Sequence, residues 1–178
     1  HGGDFAIAVP HNIIGPRQRF DDPYRNVVAI MANRMLRGLQ PVIYGDGSHV
    51  RCFSFIDDVL SCLVAMGTAP AAAGEVINIG PDEEDVTILQ LAQEIADLIG
   101  MTLDPVFVPD RPTEVAVATC SADKARHLLG YRTTTSLRDG LASTVDWIAE
   151  QGPTEFSYHA DLEILTADTP ATWVEKII

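Results

Sequence analysis

Cysteine is scarce in this 178-residue chain, and so is positive charge. The three cysteines (Cys52, Cys62 and Cys120) are an odd number, with no CxxC pair and no Cys/His ligand spacing. That excludes a disulfide framework or a zinc-finger pattern and predicts free thiols in a reducing cytoplasm. Lys+Arg is 12 against 25 Asp+Glu, a net charge of −13, which speaks against a nucleic-acid or anionic-membrane surface. Apolar runs fall far short of the roughly 18–20 residues that span a bilayer, and no charged segment followed by an apolar one opens the chain as in a signal peptide. Also missing are a GxGxxG or GxxxxGK[ST] phosphate loop, a GxSxG elbow and an HExxH helix. No catalytic constellation and no metal site is therefore expected.

What is present is the composition of a globular domain, 47% hydrophobic and 21% charged, with too much apolar content for disorder. The negative charge is uneven. Residues 1–51 carry a net +2 and residues 52–178 a net −15, so an anionic ligand belongs near the first third.

Phe5-Ala-Ile-Ala-Val9 reads as a parallel-sheet strand buried on both faces, an odd feature so close to the first residue and one expected in the middle of a larger protein. Residues 10–25 are loop by their Pro and Gly content. A helix over about 26–37 carries Val27, Met31 and Met35 on one face and stops at Gly38. Pro41–Tyr44 and Cys52–Phe55 read as short strands around a Gly45-Asp46-Gly47 turn. Asp57 and Asp58 open a helix bearing Val59, Leu60, Leu63 and Val64. Strand 75–79, a helix with a Thr87/Gln90 capping box, and strand 104–108 read as one β-α-β unit. Ser121 and Ser136 cap two further helices, and 153–178 reads as irregular surface chain. The class is α/β with small mixed and parallel sheets and about five helices.

Several residues suit a phosphorylated ligand. Arg51, between a turn and a short strand, can fork onto a phosphate; a surface ion pair with Asp57 or Asp58 is the competing fate. Tyr44 beside the glycine turn offers a ring to a nucleobase, or else to the core. Arg111, between Pro109 and Pro112, is held in a stiff extended loop. Asn12 and Asn78 interrupt strand ends, where an amide meets a ligand or a neighbouring backbone. His11, His49, His127 and His159 form no cluster in the sequence, and Asp82-Glu83-Glu84-Asp85 reads as a solvated, dipole-complementing run before a helix.

Taken together, an ordered set of segments resembles the extended short-chain dehydrogenase/reductase family, the NAD-dependent nucleotide-sugar epimerases and dehydratases. These are Asn12-Ile-Ile-Gly15-Pro16-Arg17-Gln18, Val42-Ile-Tyr-Gly-Asp-Gly47, Arg51-Cys-Phe-Ser-Phe-Ile-Asp-Asp-Val59, Val76-Ile-Asn-Ile-Gly80, Arg111-Pro-x-Glu-Val115, Ser121-Ala-Asp-Lys-Ala125 with Leu129-Gly130-Tyr131, and Ser136-Leu-x-x-Gly140-Leu141. Two departures stand out: Val9 where the family often has Arg, and Ile14 where it has Tyr.

The resemblance implies a C-terminal, substrate-binding portion. Residues 1–16 would end a Rossmann-type domain, leaving one strand of it; 17–152 would bind a nucleotide sugar, most simply a UDP-sugar; 153–178 would be an extension. Arg51 and Arg111 would hold the diphosphate, Asn26 and Val27 would add an amide and a helix N–H, Tyr44 and Pro41 would flank the base, Asn12 would reach the sugar-phosphate, and Asn78 the ribose. NAD and the Tyr-x-x-x-Lys pair that works the sugar 4-OH would belong to the parent enzyme, with no cofactor in this chain alone. The expected partners are the missing Rossmann half and, without it, a second copy of the chain. A 4,6-dehydratase, a UDP-glucuronate decarboxylase and a non-catalytic nucleotide-binding or structural module are the alternatives.

Overall fold

The computed structural model of the chain describes residues 5–24, 26–111, 113–158, 166 and 169–178. His159 lies outside them, as does Pro112. Three helices form the main core: α1 (Val27–Leu36), α3 (Ile88–Ile99) and α5 (Leu137–Gln151). Each is legible locally. Asn26 caps α1, Thr87 and Gln90 close a reciprocal capping box on α3, and the Ser136 hydroxyl accepts from the Asp139 N–H of α5. Their inward stripes of Val28, Met31 and Met35, Leu91 and Ile95, and Leu141, Val145 and Ile148 close around one another. Burying each such side chain contributes about 1.5–3 kcal/mol.

A second, smaller core lies under α2 (Ile56–Met66) and α4 (Asp123–Leu129), which pack with strand β6 (Val76–Ile79) around Val59, Cys62, Ile77, Ile79, Ala125 and Tyr131. The Asp58 carboxylate ties α2 to the segment before α5, accepting from the Thr134 hydroxyl and from the N–H groups of Thr134 and Thr135. Three of the four acidic residues before α3 are not merely solvated. Asp82 and Glu83 pair with Arg126 of α4, and Glu84 accepts from the Leu137 N–H at the start of α5. Arg126 holds the Asp82 carboxyl below the usual range.

The strands are very short. β1 (Ile7–Pro10) pairs in parallel with β6, Ile7 opposite Val76. β2 (Ile13–Ile14) pairs in parallel with β5 (Ser54–Phe55), and β3 (Val42–Tyr44) with β8 (Val106–Val108). β4 (Val50–Arg51) lies between antiparallel β7 (Val86–Thr87) and parallel β9 (Val117–Ala118).

These pairings correct four expectations. Cys52–Phe55 is not a strand facing Pro41–Tyr44 across the glycine turn: only Ser54–Phe55 of it is strand, pairing with β2, while the preceding Val50–Arg51 joins another sheet and β3 pairs with β8. Strands β6 and β8 share no sheet, so the segment between them is no β-α-β crossover. The first strand is not buried on both faces: Phe5 is 57%, Ile7 47% and Val9 39% exposed, and Val76 beside them 49%. Finally, the tail is not simply irregular surface chain. It forms a sixth helix, α6 (Ala171–Val174), and Thr172 is buried. The capping residue of α4 is Ala122, with the Ser121 hydroxyl accepting from the Asp123 N–H beside it. Among the described residues, no helix is long and apolar enough to cross a membrane.

Candidate functional site

A cleft of about 290 Å³ opens between the N-terminus of α1, the end of β3, strand β4 and the 108–114 loop. Six of the eight residues singled out in the sequence line it: Asn12, Asn26, Val27, Tyr44, Arg51 and Arg111. Pro41 does not. It is buried, and its carbonyl accepts from Val106 N–H in the sheet. Asn78 lies on the exposed side of β6, opposite Val9, away from the cleft.

The two arginines meet at one carboxylate. Arg51 Nη2 lies 2.5 Å from Glu114 Oε1 and Arg111 Nη1 3.7 Å from Glu114 Oε2. The partner of Arg51 is thus Glu114, not Asp57 or Asp58. A second Arg51 nitrogen donates to the Val50 carbonyl and fixes the fork against its own strand. The Arg111 guanidinium carbon lies over Tyr44, 4.3 Å from the ring centre, so one face of that ring is already covered. Among the described residues, Arg111 Nε is buried with no hydrogen-bond partner, an unsatisfied donor of a kind that normally costs about 1–3 kcal/mol.

The two asparagines are engaged with backbone. Asn12, in the left-handed region at φ 35°, donates its amide to the Cys52 carbonyl at 2.8 Å. Asn26 is the α1 cap: its Oδ1 accepts from Val28 N–H at 2.9 Å and its Nδ2 donates to the Ile13 carbonyl. Its side chain therefore shapes the cleft rather than reaching into it, occupying the Val28 N–H while Val27, the first residue of α1, stands at the wall.

Sequence reasoning missed the tail. The Tyr44 hydroxyl is 2.6 Å from Thr172 Oγ1 and accepts from the Thr172 N–H, and Trp173 and Ile178 complete the cleft wall. Trp173 also meets Tyr24 edge to face at 5.3 Å. A single tryptophan, Trp173, was the available signal, but no motif tied it to Tyr44.

A second gathering escaped the sequence as well. His11, Cys52 and Cys120 come together beside the cleft, with Cys52 Sγ 3.2 Å from His11 Nδ1. Burial pushes the Cys52 thiol up to about 11. Burial, helped by the Arg51 charge, lowers the His11 imidazole from its ordinary value.

Residues 1–80 match the model of the NAD dependent epimerase/dehydratase family. A UDP-glucose 4-epimerase from Mycolicibacterium smegmatis is 35% identical over 146 residues, 81% of this chain and 45% of the relative. Further relatives are named as a dTDP-glucose 4,6-dehydratase and a UDP-N-acetyl-alpha-D-glucosaminuronate decarboxylase. Among solved structures, the Thermotoga maritima UDP-glucose 4-epimerase with UDP-glucose is 34% identical with a TM-score of 0.76, covering 84% of this chain and 47% of that one. The Bacillus cereus UDP-glucuronic acid 4-epimerase in complex with UDP-glucuronic acid and NAD is 32% identical with a TM-score of 0.75, covering 83% and 46%. The chain thus spans about half the length of the relatives it matches. In sequence and fold, the chain is similar to the NAD dependent epimerase/dehydratase family.

Proposed function

We propose that this chain is the substrate-gripping part of a cytoplasmic NAD-dependent nucleotide-sugar 4-epimerase, and that its cleft holds the diphosphate of a UDP-sugar. The observation that carries the reading is the convergence of Arg51 and Arg111 on Glu114, with Arg111 Nε left unpartnered among the described residues. Two guanidiniums aimed at one small volume are a receptor for a doubly charged group, each charge-assisted bond contributing about 1.5–3 kcal/mol. The α1 N-terminus at the same wall adds a partial positive charge. Holding the nucleotide end firmly while leaving the sugar unclamped lets remote binding energy position the reacting carbon.

The residues of this chain do not fit NAD. The sequence has no GxGxxG and no Tyr-x-x-x-Lys, and β1 leads into β2 rather than into a helix N-terminus. Hydride and proton transfer accordingly belong to the rest of the enzyme, and the chain alone turns nothing over. The same grip serves a dehydratase or decarboxylase, as the names of two relatives illustrate.

Calorimetric titration of UDP and UDP-glucose into the chain tests this. Saturable binding, weakened by about 1.5–3 kcal/mol in Arg51→Ala, is the expected result. Heats that stay at the dilution baseline with the unsubstituted chain would defeat the proposal.

A further inference from the structure

We propose that His11, Cys52 and Cys120 form a binding site for a thiophilic divalent metal ion, Zn²⁺ being the probe of choice. Their ligand atoms, one imidazole nitrogen and two sulfurs, all lie within 4.8 Å of one another. In a tetrahedral site with Zn–S of about 2.3 Å and Zn–N of about 2.0–2.1 Å, ligand atoms stand roughly 3.5–3.8 Å apart. The three donors are therefore near a coordinating arrangement before any metal arrives. An N/S₂ set also matches the softness preference of zinc over the hard cations that favour oxygen.

The backbone holds the three in place from three separate elements. His11 follows β1, and its N–H donates to the Ile79 carbonyl at 2.9 Å. Cys52 follows β4, and its carbonyl takes the Asn12 amide. Cys120 follows β9, which runs parallel to β4 with Ala118 opposite Arg51. Gly80 lies against the group: a Cβ there would stand 2.8 Å from Ser54 Oγ, 2.9 Å from His11 Cβ and 3.6 Å from Cys120 Sγ, so any side chain at 80 would crowd His11. Cys52 is fully buried, while His11 and Cys120 are half-buried. One side of the site is consequently open to a fourth ligand, such as water, in the manner of zinc sites with three protein ligands. Binding replaces two thiol protons, which pass to solvent. Because His11 adjoins Asn12 and Cys52 adjoins Arg51, the ion would sit behind the cleft. Metal binding itself does not depend on the nucleotide reading.

The test is calorimetry of Zn²⁺ into the reduced, metal-free 178-residue chain, with Co²⁺ as the spectroscopic probe. One equivalent of Zn²⁺ should bind and raise the melting temperature. Co²⁺ should give thiolate-to-metal charge-transfer absorption together with intense tetrahedral ligand-field bands. Cys120→Ser and His11→Ala should each weaken Zn²⁺ binding more than about 100-fold, beyond what losing a supporting partner costs. His127→Ala, on α4, should change nothing. The site is overturned by absence of zinc uptake in the unsubstituted chain, by a Co²⁺ complex without charge-transfer absorption, or by zinc affinity that survives Cys120→Ser in a variant with the parent circular-dichroism spectrum. The melting-temperature and cobalt measurements use the unsubstituted chain and so decide the matter even if a variant fails to fold.

Discussion

Gly15 stands at φ +148°, and a Cβ there would lie 2.5 Å from Ile56 Cγ2. Both facts bear on one substitution. Gly15→Ala forces a backbone conformation that side chains disfavour and pushes into the first residue of α2, so it should cost about 2–4 kcal/mol. Chemical denaturation would show a lowered midpoint with an unchanged slope; an unaltered midpoint would mean that the loop relaxes freely. At this scale the sequence was informative where chemistry is local. Arg51, Arg111 and Tyr44 all reach the cleft, as expected of side chains whose backbone is fixed by neighbouring turns and prolines. The fates of Asn26 and Asn78 were not readable, since an amide serves a cap or an exposed strand position as readily as a ligand. Glu114 illustrates the same limit. It stood inside a recognised motif, yet its pairing with Arg51 spans 63 residues of chain and depends on which strands adjoin β4.

Among the elements, the helices were legible and the sheets were not. Helices α1, α3 and α5 announce themselves through caps and a 3.6-residue stripe. Strands of two to four residues carry too few side chains to encode a partner, which is why β3 was matched with the wrong neighbour and β6 and β8 were joined into one unit. The tail is the element with the most direct bearing on binding. Thr172, Trp173 and Ile178 occupy the wall next to Tyr44 and Arg111, where a base stacking on Tyr44 would compete with them. A chain ending at residue 168 should bind UDP about fivefold more tightly or better, because ligand no longer displaces an intramolecular occupant. Titration of the shortened chain decides this, and weaker binding would mean that the tail is part of the receptor.

For the molecule as a whole, two cores and several small sheets suffice to hold the cleft, but they leave an apolar margin. Phe5, Ile7, Val9 and Val76 are contiguous along the β1–β6 pair and largely exposed. An open parallel pair with apolar side chains invites association. The isolated chain should show a mass that climbs with concentration in light scattering, and Ile7→Thr with Val76→Thr should lower it; a constant monomer mass would refute the expectation. The uneven charge read from the sequence also takes on shape here. The cleft draws on the basic first third for Arg51 but borrows Arg111 from the acidic remainder. Glu114, shared by both arginines, means that the cleft arrives half-neutralised by an anion of its own, one carboxylate against two guanidiniums. Ligand entry is then an exchange of anions. A sugar joined through a single phosphodiester would trade one negative charge for one and gain little, whereas a pyrophosphate brings two for the one it evicts. Selectivity for diphosphate-linked sugars would thus come from the stoichiometry of the exchange, before any contact with the sugar itself.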